Sequence, residues 1–102
     1  GLPTDPFVFE GFLPQTKSRL TRLAGLQEER RTMVFYESPH RLLKTLEQFS
    51  ETFGPGRPAS VSRELTKVFE ETVRGSLSQI HAHYTQYPAS VRGEIVVVVG
   101  GA

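Results

Sequence analysis

Apolar positions recur along this chain with two different periods, and the switches between them mark its elements. Phe7, Val8 and Phe9 run into Glu10 and stop at Gly11, a short strand. Behind Pro14 and Ser18, Leu20, Leu23, Ala24 and Leu26 recur at helical spacing; Gly25 weakens this helix, and the run Glu28-Glu29-Arg30-Arg31 ends it. Thr32 to Tyr36 reads as a buried strand that breaks off at Glu37-Ser38-Pro39. Leu42, Leu43, Leu46, Phe49 and Phe53 then predict a helix from Pro39 to Phe53. Ser38 suits its N-cap, Pro39 its first position, and Gly54-Pro55 its end. Ala59 to Ser62 alternates as a third strand, and Glu71 to Arg74 reads as a short fourth. Ser76 and Gln79 spell a capping box ahead of a helix whose stripe is Leu77, Ile80, Tyr84 and Tyr87, closed by Pro88. Glu94 to Val99 is apolar on both faces, which predicts a central strand. The order β-α-β-α-β-β-α-β is that of an α/β layer.

Composition narrows the function classes. The 102 residues suffice for one small domain with a real core. Lys and Arg number 12 against 11 Asp and Glu, so any RNA contact must be local rather than spread over a basic body. The absence of cysteine excludes disulfides and thiolate metal sites and fits a reducing compartment. No run reaches membrane-spanning length, and the first residues lack a signal-peptide pattern. Gly1 to Pro6 reads as an inter-domain linker leading into a domain over residues 7–102, as expected of an excised domain.

Candidate chemistry gathers in two places. Glu37, His40 and Arg41 sit at a strand-to-helix corner, where open α/β sheets bind ligands and helix N-termini favour anions. A solvated turn is the plain alternative. Residues 63–75, Arg-Glu-Leu-Thr-Lys-Val-Phe-Glu-Glu-Thr-Val-Arg-Gly, follow the third strand and are too charged and too aperiodic for a surface helix. Arg63-Glu64 and Glu70-Glu71 are either structural ion pairs or reactive groups. Arg19, Arg22, Arg30 and Arg31 form either a basic RNA face or, with Glu28 and Glu29 among them, a solvated helix face. His81 and His83 are two apart on a helix and suit no metal site, while Tyr84 and Tyr87 read as packing residues. Neither a G-x-G-x-x-G nor a Walker loop occurs, so the chain carries no self-sufficient phosphate cradle.

Gly11-Phe12-Leu13-Pro14, Phe35-Tyr36-Glu37-Ser38-Pro39-His40-Arg41, Arg63-Glu64-Leu65-Thr66-Lys67, Arg74-Gly75 and Gly93-Glu94-Ile95-Val96 occur in this order. As an ordered set, spanning Leu2 to Gly100, they resemble the C-terminal half of the ribosomal RNA methyltransferases of the tetrapyrrole methylase superfamily. The resemblance implies a five-stranded mixed sheet covered by helices. It implies S-adenosylmethionine as cofactor, in a cleft whose glycine-rich loops come from an N-terminal half. It implies 2′-O-ribose methylation of a cytidine in small-subunit ribosomal RNA, by a homodimer in the cytoplasm without a metal. On matching motifs the cofactor would be covered by Tyr36, Glu37, Ser38, Leu65, Gly93 and Glu94. Porphyrinoid members have Met-Gly at Glu37-Ser38 and Asn-Gly at Glu64-Leu65, which argues against a tetrapyrrole substrate. Methyl transfer to a hydroxyl needs alignment and a proton acceptor. Glu64, Glu70 and His40 are the candidate acceptors or orienters, and Arg41, Arg63 and Lys67 the candidate phosphate anchors. The rival readings are a tetrapyrrole methylase and a noncatalytic RNA-binding or dimerisation module. The first reading places the corner at 37–41, the segment 63–67 and the start of the last strand side by side at one edge of the sheet.

Overall fold

A computed structural model describes residues 6–66, 69–88 and 95–102, with backbone alone for 64–66 and 69. Strands β1 (Phe7–Phe12), β2 (Thr32–Glu37), β3 (Pro58–Thr66), β4 (Phe69–Ser76) and β5 (Ile95–Val99) form one sheet in the order β1-β2-β5-β3-β4. β1 and β2 are parallel, and β5 runs antiparallel to both of its neighbours, β2 and β3. The sheet is therefore mixed, with the most continuously apolar strand at its centre, as the sequence predicts. Helices α1 (Ser18–Gly25), α2 (Leu42–Phe53) and α3 (Leu77–Gln86) complete the chain.

Strand alternation sorts side chains into two faces. Met33, Phe35, Val61, Ile95, Val97 and Val99 point to one side and are buried with Leu23 of α1, Leu42, Leu46, Phe49 and Phe53 of α2, and Leu77, Ile80 and Tyr84 of α3. The centre of this core is the Phe35–Phe49 contact, with ring centroids 4.7 Å apart. Burying each large side chain of this kind contributes about 1.5–3 kcal/mol. All three helices thus cover one face. The opposite face carries half-buried Val34, Tyr36, Val96 and Val98 and the exposed rings of Phe7, Phe9 and Phe12. A bulge between Phe9 and Gly11, with Gly11 at φ +64°, keeps Phe12 on this side, opposite Tyr36. Past β5, Gly101 runs so close to the loop before β2 that a Cβ would lie 1.8 Å from the Arg30 carbonyl oxygen.

Several expectations need correction. Pro39–Arg41 is a separate 3-10 turn, α2 begins at Leu42, and Ser38 makes no side-chain cap. On α1 the buried residues are Arg19 and Leu23, whereas Leu20 and Ala24 are exposed. Tyr87 lies beyond α3 and is exposed. Residues 63–66 and 69–75 lie on the long antiparallel pair β3 and β4, in which cross-strand pairing replaces the missing apolar period. The capping box stands: the Ser76 hydroxyl accepts from the Gln79 N–H, and the Gln79 side chain accepts from the Ser76 N–H.

Candidate functional site

One end of the sheet collects most of the candidate residues. Glu37 and Arg63 are both register partners of Ile95, so the ends of β2 and β3 flank the start of β5. The corner and the hairpin therefore share an edge, because both strands run antiparallel to the strand between them. Lys67, Gly93 and Glu94 lie outside the described residues, as do the side chains of Glu64 and Leu65.

Glu37 is buried and turns toward the helices. One carboxylate oxygen accepts from Arg19 Nη2 at 3.2 Å and from the Thr45 hydroxyl; the other accepts from the Ser38 N–H at 3.0 Å. Arg19 also donates through Nη2 to Thr45 Oγ1 at 2.7 Å and through Nε to Gln48 Oε1 at 2.8 Å. Arg19 does not lie on a solvated helix face: it is buried and supplies the counter-charge for Glu37. Two signals pointed there. Arg19 is one turn before Leu23, on the stripe that buries, and Thr45 interrupts the apolar face of α2 between Leu42 and Phe49.

Arg63 also points to the helix side. Its Nη2 donates to Glu71 Oε2 at 3.2 Å, with the Arg63 side chain only 11% exposed. Among the described residues its Nε and Nη1, and the buried Tyr84 hydroxyl, have no partner. Burial raises the Tyr84 phenol above its ordinary range; the charge of Glu71 adds to this and that of Arg63 opposes it. Among the described residues, the ion pair of this segment is Arg63–Glu71.

Tyr36, on the open face, meets Phe9 edge-on at 5.2 Å and Phe12 at 5.4 Å between ring centroids. His40 and Arg41 are exposed at the corner, and Ser38 is half-buried there. Glu70 is exposed on β4, where its backbone pairs with Glu64. Three strand spacings separate β2 from β4, about 14 Å, so His40 and Glu70 do not form one acid–base pair. No three metal-ligating side chains converge among the described residues.

A larger cavity of about 520 Å³ opens at the opposite end, lined by residues that include Pro58, Ser60, Arg74 and Val98. The α3 N-terminus beside it is closed: the Leu77, Ser78 and Gln79 N–H groups donate to Arg57 O, Pro55 O and Ser76 Oγ. The candidate residues therefore sit away from the larger cavity.

The five-stranded mixed sheet covered by helices is a fold shared with known methyltransferases. The family profile described as Tetrapyrrole (Corrin/Porphyrin) Methylases matches residues 3–81, and the chain belongs to this family. Ribosomal RNA small subunit methyltransferase I of Pseudomonas aeruginosa is 46% identical over 102 residues, 99% of this chain and 36% of that protein. The protein of the same name from Mycobacterium bovis is 52% identical over 103 residues, 100% of this chain and 35% of that protein. The chain thus spans little more than a third of the length of these curated relatives. Among solved structures, cobalt precorrin-4 methyltransferase, a cobalamin biosynthetic enzyme, superposes with TM-score 0.62 and 15% identity over 97% of this chain and 42% of its own. The methyltransferase CobJ superposes with TM-score 0.63 and 25% identity over 94% of this chain and 41% of its own.

Proposed function

We propose that this chain is the C-terminal portion of a two-domain, S-adenosylmethionine-dependent methyltransferase that modifies the ribose 2′-oxygen of a cytidine in small-subunit ribosomal RNA. The observation that carries this reading is the 46–52% identity, across the length of the chain, to proteins named for that RNA. Residues 1–6 serve as the linker, and the enzyme works as a homodimer in the cytoplasm. No described helix is long and apolar enough to cross a membrane.

The described residues fit part of a cofactor site. Tyr36, bordered by Phe9 and Phe12, offers an apolar aromatic wall suited to a purine ring. Ser38 stands at the end of that wall with a hydroxyl that caps no helix. Leu65, Gly93 and Glu94 complete the proposed cover. Glu37 holds Arg19 and the corner in place rather than meeting the cofactor directly. The bound cofactor supplies a methyl group on a sulfonium, already activated. The chain must hold the ribose hydroxyl in line and take up its proton. His40, Glu64 and Glu70 are the proposed proton acceptors, of which His40 adjoins Arg41. Arg41, Arg63 and Lys67 are the proposed phosphate anchors. Arg41 is the exposed one among the described residues, while the Arg63 side chain is largely buried and bonds Glu71 through Nη2.

The test is transfer of labelled methyl from S-adenosylmethionine to small ribosomal subunits by the enzyme that contains this chain. Label is expected in a ribose, and Arg41→Ala is expected to lower transfer about 10- to 100-fold, the equivalent of one charge-assisted contact. The 102-residue chain alone is expected to transfer none. Label entering a corrinoid instead of RNA would refute the reading.

A further inference from the structure

A cleft of about 200 Å³ lies between the start of α1 and the start of α2, beside the Glu37 network. Its lining includes Lys17, Arg19, Arg41 and Lys44 and no acidic residue. In a chain of formal net charge +1, this is a concentrated positive site, with Glu37 behind Arg19 as a counter-charge. Lys17 and Arg41 are the N-cap residues of α1 and α2; neither helix has a side-chain cap or an acid in its first turn. Two helix N-termini, each carrying roughly half a positive charge, therefore add to the four cations. The independent sign of an occupant is Arg19. Its Nε and Nη2 are saturated by Gln48, Glu37 and Thr45, yet its buried Nη1 has no acceptor among the described residues. A buried guanidinium nitrogen without an acceptor is costly, and because Arg19 lines the cleft, an anion bound there would offset the charge of this guanidinium.

We propose that this cleft is a phosphate-binding site for the RNA backbone, held by Lys17, Arg41 and Lys44 with Arg19 at its wall. The inference rests on the RNA-substrate reading above and deepens it. The cleft is smaller than the about 300–1,000 Å³ typical of small-molecule sites, which suits a single phosphate group better than a whole nucleotide. Lys17, Arg41 and Lys44 are exposed, so a strand can pass over the cleft and leave one phosphate in it. Arg41 belongs both to this cleft and to the corner, which sets the bound phosphate next to the proposed ribose site. Glu37 and Thr45 are positioning residues for Arg19.

The test is titration of the chain with a short labelled single-stranded RNA and, separately, with inorganic phosphate. Binding is read by fluorescence anisotropy over a salt series and by backbone amide shifts. RNA is expected to move the amides of Lys17–Leu20 and Arg41–Thr45. The exposed double variant Lys17→Gln/Lys44→Gln is expected to bind RNA about tenfold more weakly. Its log–log salt slope should be shallower by about 0.7 for each phosphate that the variant no longer neutralises. Arg74→Gln, at the far end of the sheet, is expected to change neither. RNA binding unchanged in the double variant overturns the cleft while leaving the substrate reading intact. Amide shifts with inorganic phosphate but not with RNA overturn the strand assignment, as does the absence of both. Failure of the substrate reading is seen separately, as RNA binding at the cleft without labelled ribose in the methyl-transfer assay.

Discussion

Two arginine–carboxylate pairs flank Ile95 in the same row of the sheet, both on the helix side, and they are built to opposite standards. At the β2 end, Glu37 accepts from three donor groups, Arg19, Thr45 and the Ser38 N–H. At the β3 end, Arg63 has a single bond to half-exposed Glu71, and its Nε, its Nη1 and the Tyr84 hydroxyl are unpaired among the described residues. The first is a closed brace tying β2 to α1 and α2. The second is a polar cluster beside Tyr84 of α3 whose hydrogen-bonding capacity is unmet among the described residues. A buried ion pair is retained at a cost unless its remaining hydrogen-bonding capacity is met, so the two pairs should answer mutation in opposite ways.

Glu37→Ala should have the largest effect. It leaves the Arg19 charge buried without a partner, and we predict a loss of about 3–5 kcal/mol in urea unfolding. A loss under about 1 kcal/mol would show the brace to be dispensable. Arg63→Met tests the other side: it removes orphaned donors and leaves Glu71 to solvent, so we predict a change of no more than about 1 kcal/mol. A loss as large as that of Glu37→Ala would erase the contrast. Tyr84→Phe should be the smallest change, neutral or stabilising by less than about 1 kcal/mol, because the deleted hydroxyl has no partner among the described residues. Its signature lies at high pH. The folded-state phenol is raised, so its contribution is fully present below the unfolded value near about 10 and is lost as pH rises through the folded one. Unfolding curves of Tyr84→Phe should lack that alkaline decline, and an identical decline in both proteins would remove Tyr84 as its source.

Much of this frame was readable from residue order alone. Apolar runs located β1, β2 and β5, and the all-apolar Ile95–Val99 segment announced the central strand, because a strand buried on both faces cannot alternate. The capping box was legible because two side chains at fixed spacing suffice for it. The β3–β4 pairing was under-read: each strand is held by partners on the other, and cross-strand pairing leaves no period in a single segment. Arg19–Glu37 was missed for a related reason. Eighteen residues separate the pair, and each looks like a surface charge until topology brings them together. The corner itself was visible at Glu37–Arg41, but the contribution of Lys17 and Lys44 to a shared cleft depends on how α1 sits against α2.

The placement of β5 also has a kinetic consequence. The last strand in the chain is the middle strand of the sheet, joining the β1–β2 pair to the β3–β4 hairpin. Until residues 95–99 arrive, those are two separate ribbons with open inner edges, and an isolated two-stranded ribbon is at best marginally stable. The hairpin can close early because its contacts are local, whereas β2–β5 pairing must close a loop across most of the chain. We predict that the sheet assembles by late insertion of this five-residue apolar strand. A nascent chain halted before Ile95 would present two unsatisfied strand edges, the kind of surface on which chains pair with the wrong partner.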